Sequence, residues 1–149
     1  MKTLITILML TGVTAFCCGN YEMLGLASYQ RTVMDHLRAI KDGDKKVLES
    51  LWDKDKAQII EIKNGIPAKL DPEKTFEMWT RTKNPDLNAK ILSSSQLTDD
   101  IAVVKVSLNW KGSSYVELLT LIKVNLEWKI IGKAYKAPDN SNTLYGVSP

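Results

Sequence analysis

The last third of the chain predicts a sheet with one face in the core and one face in water. Residues 91–135 contain long apolar stretches separated by tight turns. In the first stretch the apolar residues recur at every second position; they are Ala102, Val104, Val106, Leu108 and Trp110. Because successive side chains of a strand point to opposite faces, other parts of the chain must cover the apolar face. We expect three or four antiparallel strands here.

The preceding residues predict three helices that cover this sheet. Residues 21–41 carry apolar side chains at three-to-four spacing, as in an amphipathic helix that ends at Gly43. A shorter second helix is predicted over residues 45–52. Asp71, followed by a proline, caps a third helix that ends near Asn84. Helices packed on a strongly bent sheet tend to leave a pocket between the two layers.

A short hairpin is predicted between the second and third helices. Residues 57–62 are rich in β-branched side chains, and Asn64-Gly65 is a strong hairpin signal. Residues 66–70 form the return strand. Helices and mostly antiparallel strands that follow one another in this way predict an α+β fold.

The chain is predicted to be a single exported domain. Residues 1–19 combine Lys2 with an uncharged apolar stretch and small residues, which is typical of a secretory signal and too short to span a bilayer. We expect the folded domain over residues 20–137 and a loosely ordered tail over residues 138–149. The expected location is periplasmic or secreted.

The two cysteines, Cys17 and Cys18, both lie at the end of the predicted signal. No disulfide within the domain can therefore hold the fold. A cysteine at this place is compatible with lipidation, which would anchor the protein to a membrane, and simple cleavage of the signal is the alternative. We expect membrane contact only if Cys17 or Cys18 is lipidated.

Composition argues against two classes of partner. The net charge of +3 comes from 20 basic and 17 acidic residues. They are interleaved along the chain, so we expect no nucleic-acid binding. His36 is the only histidine, and no cysteine remains after the signal. We therefore expect no metal site, and nothing in the sequence indicates a cofactor.

Five local strings, spread over nearly the whole mature chain, carry a family resemblance. They are KDGD at 41–44, KNGI at 63–66, DPEKTF at 71–76, YVELLTLIK at 115–123 and WKIIGK at 128–133. Together with the order of elements, they resemble the nuclear transport factor 2-like superfamily, which includes ketosteroid isomerase, SnoaL-like polyketide cyclases and scytalone dehydratase. The nearest match is the group named "putative lumazine-binding". The resemblance implies a cystatin-like cone, in which three helices pack on a strongly curved, mostly antiparallel sheet.

The resemblance also implies positions for catalytic groups. The isomerase tyrosine that donates to an oxyanion corresponds to His36, and the aspartate that acts as base falls close to Glu61. A third isomerase acid corresponds to Leu119 or Thr120, which cannot do that work. A steroid isomerase is therefore disfavoured.

Four candidate ligand contacts come from the predicted helices. Tyr29, Val33 and His36 lie on the inward face of the first helix. A lone inward histidine is more often a hydrogen-bonded core residue than a ligand contact. Trp79 ends the inward stripe of the third helix, at the open end of the cone, whereas we interpret the other tryptophans as core residues.

Two more candidates come from the predicted strands. Glu61 is compatible with either face of its strand, and Lys63 on the same side favours solvent. Glu117 stands among apolar neighbours and is either a satisfied strand residue or a polar anchor in the pocket. Lys133 is interpreted as a surface lysine.

These observations favour a non-enzymatic, exported domain that binds a small apolar or aromatic molecule. One alternative is a small dehydratase, isomerase or cyclase in which His36 and Glu61 are the catalytic acid–base pair. Another is a dimeric protein-interaction module, because Ile101 and Val103 place apolar groups on the wet side of one strand. We expect a homodimer.

Overall fold

A computed structural model describes residues 25–137 and confirms the α+β order of elements. The elements are α1 Ser28–Asp42, α2 Lys45–Ser50, β1 Gln58–Lys63, β2 Ile66–Leu70, α3 Pro72–Thr80, β3 Asn88–Thr98, β4 Ile101–Trp110, β5 Ser113–Val124 and β6 Glu127–Lys136. The predicted signal with Cys17 and Cys18 and the predicted tail lie outside the described residues and stay predictions. The prediction that the first helix spans residues 21–41 is wrong at its start, because residues 25–27 are not helical and α1 begins at Ser28.

The six strands form one sheet in the order β2-β1-β6-β5-β4-β3. All neighbours are antiparallel except β1 and β6, which run parallel. The sheet is thus mostly antiparallel, as predicted. The buried residues of β4 alternate with more exposed ones along the whole strand, so its inner face lies against the helices as the sequence predicts.

Bulges interrupt the pairing of the sheet at three places. In β3 the register shifts between Ile91 and Ser93 and again between Gln96 and Thr98. In β6 the shift leaves Ile131 without a partner in β5. An extra residue in one strand bends the pair and increases its twist, so these bulges support the curvature that the family resemblance implies.

The bulge at Ile131 reverses which side chains of β6 point inward. Trp128 and Ile130 are buried before the bulge, and Lys133 and Tyr135 are buried after it. An unbroken strand would have kept the even-numbered side chains inward throughout. The interpretation of Lys133 as a surface lysine is therefore wrong, because its side chain is only 1% exposed.

The side chain of Asn84 joins the ends of two helices to the sheet. Its amide nitrogen donates hydrogen bonds to the carbonyl of Ile40, at 2.8 Å, and to that of Trp79, at 3.0 Å. Its amide oxygen accepts a 3.1 Å hydrogen bond from Trp110 Nε1. Because helix ends leave carbonyl groups without partners, one buried amide here fixes α1 and α3 relative to β4.

Gly43 ends α1 in the left-handed region, with φ of 70°. A Cβ atom at this position would lie 3.3 Å from the carbonyl oxygen of Thr80 and from backbone atoms of Thr82. Gly65 has a similar φ of 78° in the hairpin turn, but a Cβ atom there would meet nothing within 4 Å. The two glycines therefore differ mainly in their surroundings.

We expect Gly65→Ala to lower the free energy of unfolding by about 1 kcal/mol, which is the cost of the backbone conformation alone. Gly43→Ala should cost about 2 kcal/mol or more, since the new methyl group also crowds the end of α3. Urea unfolding of both variants measures the difference. Equal losses would contradict this account of the α1–α3 contact.

Candidate functional site

Three polar side chains lie in one row across the inner face of the sheet. Glu61 of β1 pairs with Tyr135 of β6, which pairs with Glu117 of β5. The Tyr135 hydroxyl donates a 3.3 Å hydrogen bond to Glu61 Oε1. Paired neighbours stand on the same side of a sheet, and all three residues are buried. The orientation of Glu61 that the sequence left open is therefore inward.

Lys133 and Glu117 form a buried ion pair. Lys133 Nζ lies 2.9 Å from Glu117 Oε2, and the side chains are 1% and 0% exposed. Glu117 Oε1 has no hydrogen-bond partner among residues 25–137. Removing two charges from water is costly unless their mutual attraction and further hydrogen bonds compensate.

The Lys133 ammonium also lies against aromatic rings. Its Nζ is 4.2 Å from the ring centroid of Trp79 and 5.6 Å from that of Tyr135. A cation over an aromatic face is attracted by the negative charge of the π system. Lys133 thus connects the polar row of the sheet to Trp79 on α3.

His36 lies fully buried on the inner face of α1. Trp52 Nε1 donates a 3.2 Å hydrogen bond to His36 Nδ1, and the Trp79 ring packs edge-on at a centroid distance of 5.9 Å. Burial, and then the positive charge of Lys133, holds the pKa of His36 well below its usual value of 6.5. The imidazole is therefore neutral near pH 7. Because Nδ1 accepts a hydrogen bond, its proton is on Nε2.

The two inward tyrosines are also held neutral. Burial raises the pKa of Tyr135, and the carboxylates of Glu61 and Glu117 raise it further. Burial likewise raises the pKa of Tyr115, whose ring lies 6.3 Å from that of Tyr135. Neutral phenols keep their protons, so both hydroxyls are able to donate hydrogen bonds.

These side chains form one contiguous group, which we call the interior cluster. It consists of His36, Glu61, Trp79, Glu117, Lys133 and Tyr135. Of the six candidate ligand contacts, the structure brings together His36, Glu61, Trp79 and Glu117. Their role in binding stays a prediction.

Tyr29 and Val33, the other two candidates, lie closer to the start of α1. Seven residues separate Tyr29 from His36, or about 10 Å along the helix axis. The Tyr29 ring packs against Trp128, and its hydroxyl lies 3.4 Å from Ser94 Oγ. Val33 is fully buried between the two positions. Tyr29 therefore contacts a different part of the interior from the cluster.

The candidate acid–base pair is not joined by a hydrogen bond among the described residues. His36 accepts a hydrogen bond from Trp52, whereas Glu61 accepts one from Tyr135. Each group of the pair therefore has a separate partner. Catalysis by His36 and Glu61 stays an untested hypothesis.

Sequence reasoning missed two members of the cluster and a residue that positions a third. Lys133 and Tyr135 were missed because the bulge at Ile131 reverses the alternation of β6. The sequence signal for this bulge is a change of parity: Trp128 and Ile130 are even-numbered, whereas the buried residues after Ile131 (Lys133, Tyr135 and Ala137) are odd-numbered. Trp52 was predicted to be a core residue, and its hydrogen bond to His36 is a contact between α1 and the chain after α2 that local patterns do not indicate.

A cleft opens beside the aromatic side of the cluster. It is partly open to solvent and has a volume of about 250 Å³, and it is lined by Glu49, Lys54, Asp71, Pro72, Glu73 and Phe76. The ring of Phe76 lies 5.1 Å from that of Trp52 and 6.0 Å from that of Trp79. Phe76 therefore both lines the cleft and contacts the two tryptophans that contact His36.

Two further properties concern only the residues that the structure describes. No group of three or more histidine, cysteine, aspartate or glutamate side chains is arranged there to hold a metal ion. No helix within residues 25–137 is both long enough and apolar enough to cross a membrane.

Three helices on a curved sheet, with a row of inward polar groups, define this protein as an α+β cone of the nuclear transport factor 2-like class. The chain belongs to the family described as "Putative lumazine-binding", whose model matches residues 27–136. The predicted family resemblance is thereby confirmed.

Solved structures support the same fold. An NTF2-like protein of unknown function from Silicibacter pomeroyi is 24% identical, with a TM-score of 0.65, over 76% of this chain and 94% of that one. One from Shewanella baltica is 13% identical, with a TM-score of 0.64, over 72% and 89%. A ketosteroid isomerase-like protein from Erwinia carotovora is 18% identical, with a TM-score of 0.54, over 76% and 97%. At these identities the likeness shows the fold alone. No curated protein matches the sequence.

The lowered pKa of His36 predicts a pH-dependent stability. Below about pH 6.5 the unfolded chain takes up a proton on this histidine and the folded chain does not, so stability falls as the pH falls. Between pH 7 and pH 5.5 the free energy of unfolding should decrease by about 1 kcal/mol from this group. Urea unfolding of the untagged protein at the two values measures the decrease.

His36→Phe is the control, because the chain has no other histidine. The variant should be less stable at both pH values, since Trp52 Nε1 loses its acceptor. Its stability should nevertheless change little between pH 7 and pH 5.5. A decrease as large as that of the unchanged protein would show that His36 is not buried in its neutral form.

Proposed function

We propose that this protein is a non-enzymatic domain that binds a small molecule at the interior cluster. The observation that carries the proposal is the buried Lys133–Glu117 ion pair beside a neutral histidine, among the aromatic rings of the core. Export, predicted from residues 1–19, is part of the proposal and is checked by the N-terminal residue of the mature protein.

Stability alone is a poor reason to place these charges inside. A protein in which apolar residues of similar volume replace a buried ion pair is often as stable as the original or more stable. Buried polar atoms without partners are also uncommon in native proteins, and His36 Nε2 and Glu117 Oε1 are two such atoms within residues 25–137. Polar groups that converge in an apolar interior are typical of ligand sites.

The surroundings of the cluster favour an aromatic ligand. Trp52, Phe76 and Trp79 supply ring faces and edges on the helical side. The family description names lumazine, a fused heteroaromatic ring, which supports a ligand of this shape. The cleft beside Phe76 is the entrance we propose, since this side chain lines the cleft and contacts both Trp52 and Trp79.

Binding is favoured over acid–base catalysis by the hydrogen bonds of the two catalytic candidates. His36 Nδ1 already accepts a hydrogen bond from Trp52, so the imidazole lacks a free basic nitrogen. Glu61 accepts a hydrogen bond from Tyr135. General acid–base catalysis needs a group that is able to accept the substrate's proton, and His36 has no free nitrogen for this in the present arrangement.

We expect lumazine or another heteroaromatic compound to change the tryptophan fluorescence of the purified protein in a saturable way. Trp52 and Trp79 both contact His36, so a ligand at the cluster should alter their emission. The titration should include lipid-like compounds as a second chemical class. Emission that stays constant with every compound up to millimolar concentration would contradict the proposal.

Two variants locate the signal. Trp79→Phe should remove much of the fluorescence change, whereas Trp128→Phe should keep it, because Trp128 packs against Tyr29 at the other end of α1. Phe76→Ala should speed ligand association in stopped-flow experiments if the cleft is the entrance. The opposite result for the two tryptophans would place the ligand near Tyr29.

We also propose that two copies of the chain pack through the outer face of the sheet. Val116 and Leu118 of β5 are 50% and 47% exposed on this face, and Ile101 of β4 is 39% exposed. An apolar surface of one strand pair is able to meet its own copy across a twofold axis. Sedimentation should give a dimer at micromolar concentration and a monomer for Leu118→Glu. A monomeric unchanged protein would refute the dimer.

A further inference from the structure

His36 Nε2 and Glu117 Oε1 lie in the interior cluster without hydrogen-bond partners among the described residues. Both residues are at most 1% exposed. A buried polar atom that loses water and gains no partner costs about 1–3 kcal/mol. Two such atoms in one cluster therefore indicate which groups a bound molecule must supply.

The two atoms differ in what they require. Trp52 Nε1 donates to His36 Nδ1, so Nε2 carries the proton and is a hydrogen-bond donor. Glu117 Oε2 forms a 2.9 Å ion pair with Lys133 Nζ, so Oε1 of this carboxylate is an acceptor. A complementary ligand must present an acceptor to His36 and a donor to Glu117.

The charges around these atoms favour a ligand without a net charge. An anion would meet the carboxylates of Glu117 and Glu61, and a cation would meet the Lys133 ammonium. Within the buried ion pair the charges of Lys133 and Glu117 balance each other. The carboxylate of Glu61 further disfavours an anion, and the N–H group of His36 and the Lys133 ammonium disfavour a cation in this medium of low dielectric constant.

We propose that the interior cluster binds an uncharged, planar ligand that accepts a hydrogen bond from His36 Nε2 and donates one to Glu117 Oε1. The carbonyl and N–H groups of a cyclic amide provide this pattern on one rigid ring. The inference rests on the proposed function and adds the ligand's hydrogen-bonding pattern to it.

Three probe compounds of similar shape test this pattern. 2-Quinolone has the donor and the acceptor, N-methyl-2-quinolone has only the acceptor, and naphthalene has neither. Calorimetric titration of the untagged protein should give about tenfold tighter binding of 2-quinolone than of the N-methyl compound. Naphthalene should bind most weakly. Equal affinities for the three compounds would overturn the inference and leave a small-molecule-binding function intact.

Nitrogen NMR of His36 tests the donor directly, since this is the chain's only histidine. In the free protein Nε2 should carry the proton and Nδ1 should not. Both quinolones should shift the Nε2 resonance, and naphthalene should shift it much less. A proton on Nδ1, or an Nε2 resonance that ignores the quinolones while they bind, would overturn the inference.

The acceptor is tested by replacing the whole ion pair, so that no charge is left alone. The double variant Lys133→Met, Glu117→Leu should lose the preference for 2-quinolone over its N-methyl analogue. The matched control is Lys129→Met, Glu127→Leu. It removes a 2.8 Å ion pair near the start of β6, the strand that also carries Lys133, where both side chains are accessible to solvent. The control should keep the preference.

The outcomes separate this inference from the proposed function. A double variant that keeps the full preference would show that Glu117 Oε1 is not the acceptor. If the double variant does not fold, the His36 resonances and the three affinities of the unchanged protein still decide. If none of the probes binds and the fluorescence titration is also negative, both the inference and the proposed function are wrong.

Discussion

The polar groups of the interior depend on one extra residue in β6. A strand alternates its side chains strictly, so the even-numbered residues that are buried before Ile131 would stay inward in a regular strand. The bulge at Ile131 shifts this alternation and turns Lys133 and Tyr135 into the core. Without it, Gly132 and Ala134 would occupy those inward positions. The same irregularity that helps to bend the sheet therefore also supplies the cation of the cluster.

Contacts with neighbouring side chains, in place of hydration, offset the cost of burying the ion pair of Lys133 and Glu117. Each buried ion costs several kcal/mol in lost hydration, and a 2.9 Å contact in a medium of low dielectric constant returns much of it. The ring of Trp79 adds a further attraction to the ammonium. Glu117 Oε1 gains nothing comparable within the described residues. The lost hydration of Glu117 is therefore only partly replaced, and a hydrogen-bond donor of a ligand would replace the rest at Oε1.

Most of the fold follows from local patterns in the sequence, whereas the site depends on contacts between distant segments. The cap at Asp71, the stop at Gly43 and the alternation of β4 each act within a few residues, so the sequence predicts them. The inward orientation of Glu61 depends on parallel pairing between β1 and β6, which join far-apart parts of the chain. Lys133 was assigned to the wrong face because its neighbours contain no strong signal for a bulge. His36 was placed correctly on the inward face, but its tautomer depends on Trp52.

The position of His36 relates the interior cluster to the isomerases that share this fold. The family resemblance implies that this position holds a hydrogen-bond donor, and a neutral imidazole with its proton on Nε2 is such a donor. The other half of an isomerase is a carboxylate that is free to take a proton. Here Glu61 accepts a hydrogen bond from Tyr135, and Glu117 forms an ion pair with Lys133. In the function proposed above, the His36 donor would polarise a carbonyl of the ligand, and the carboxylates held by Tyr135 and Lys133 would help to orient it.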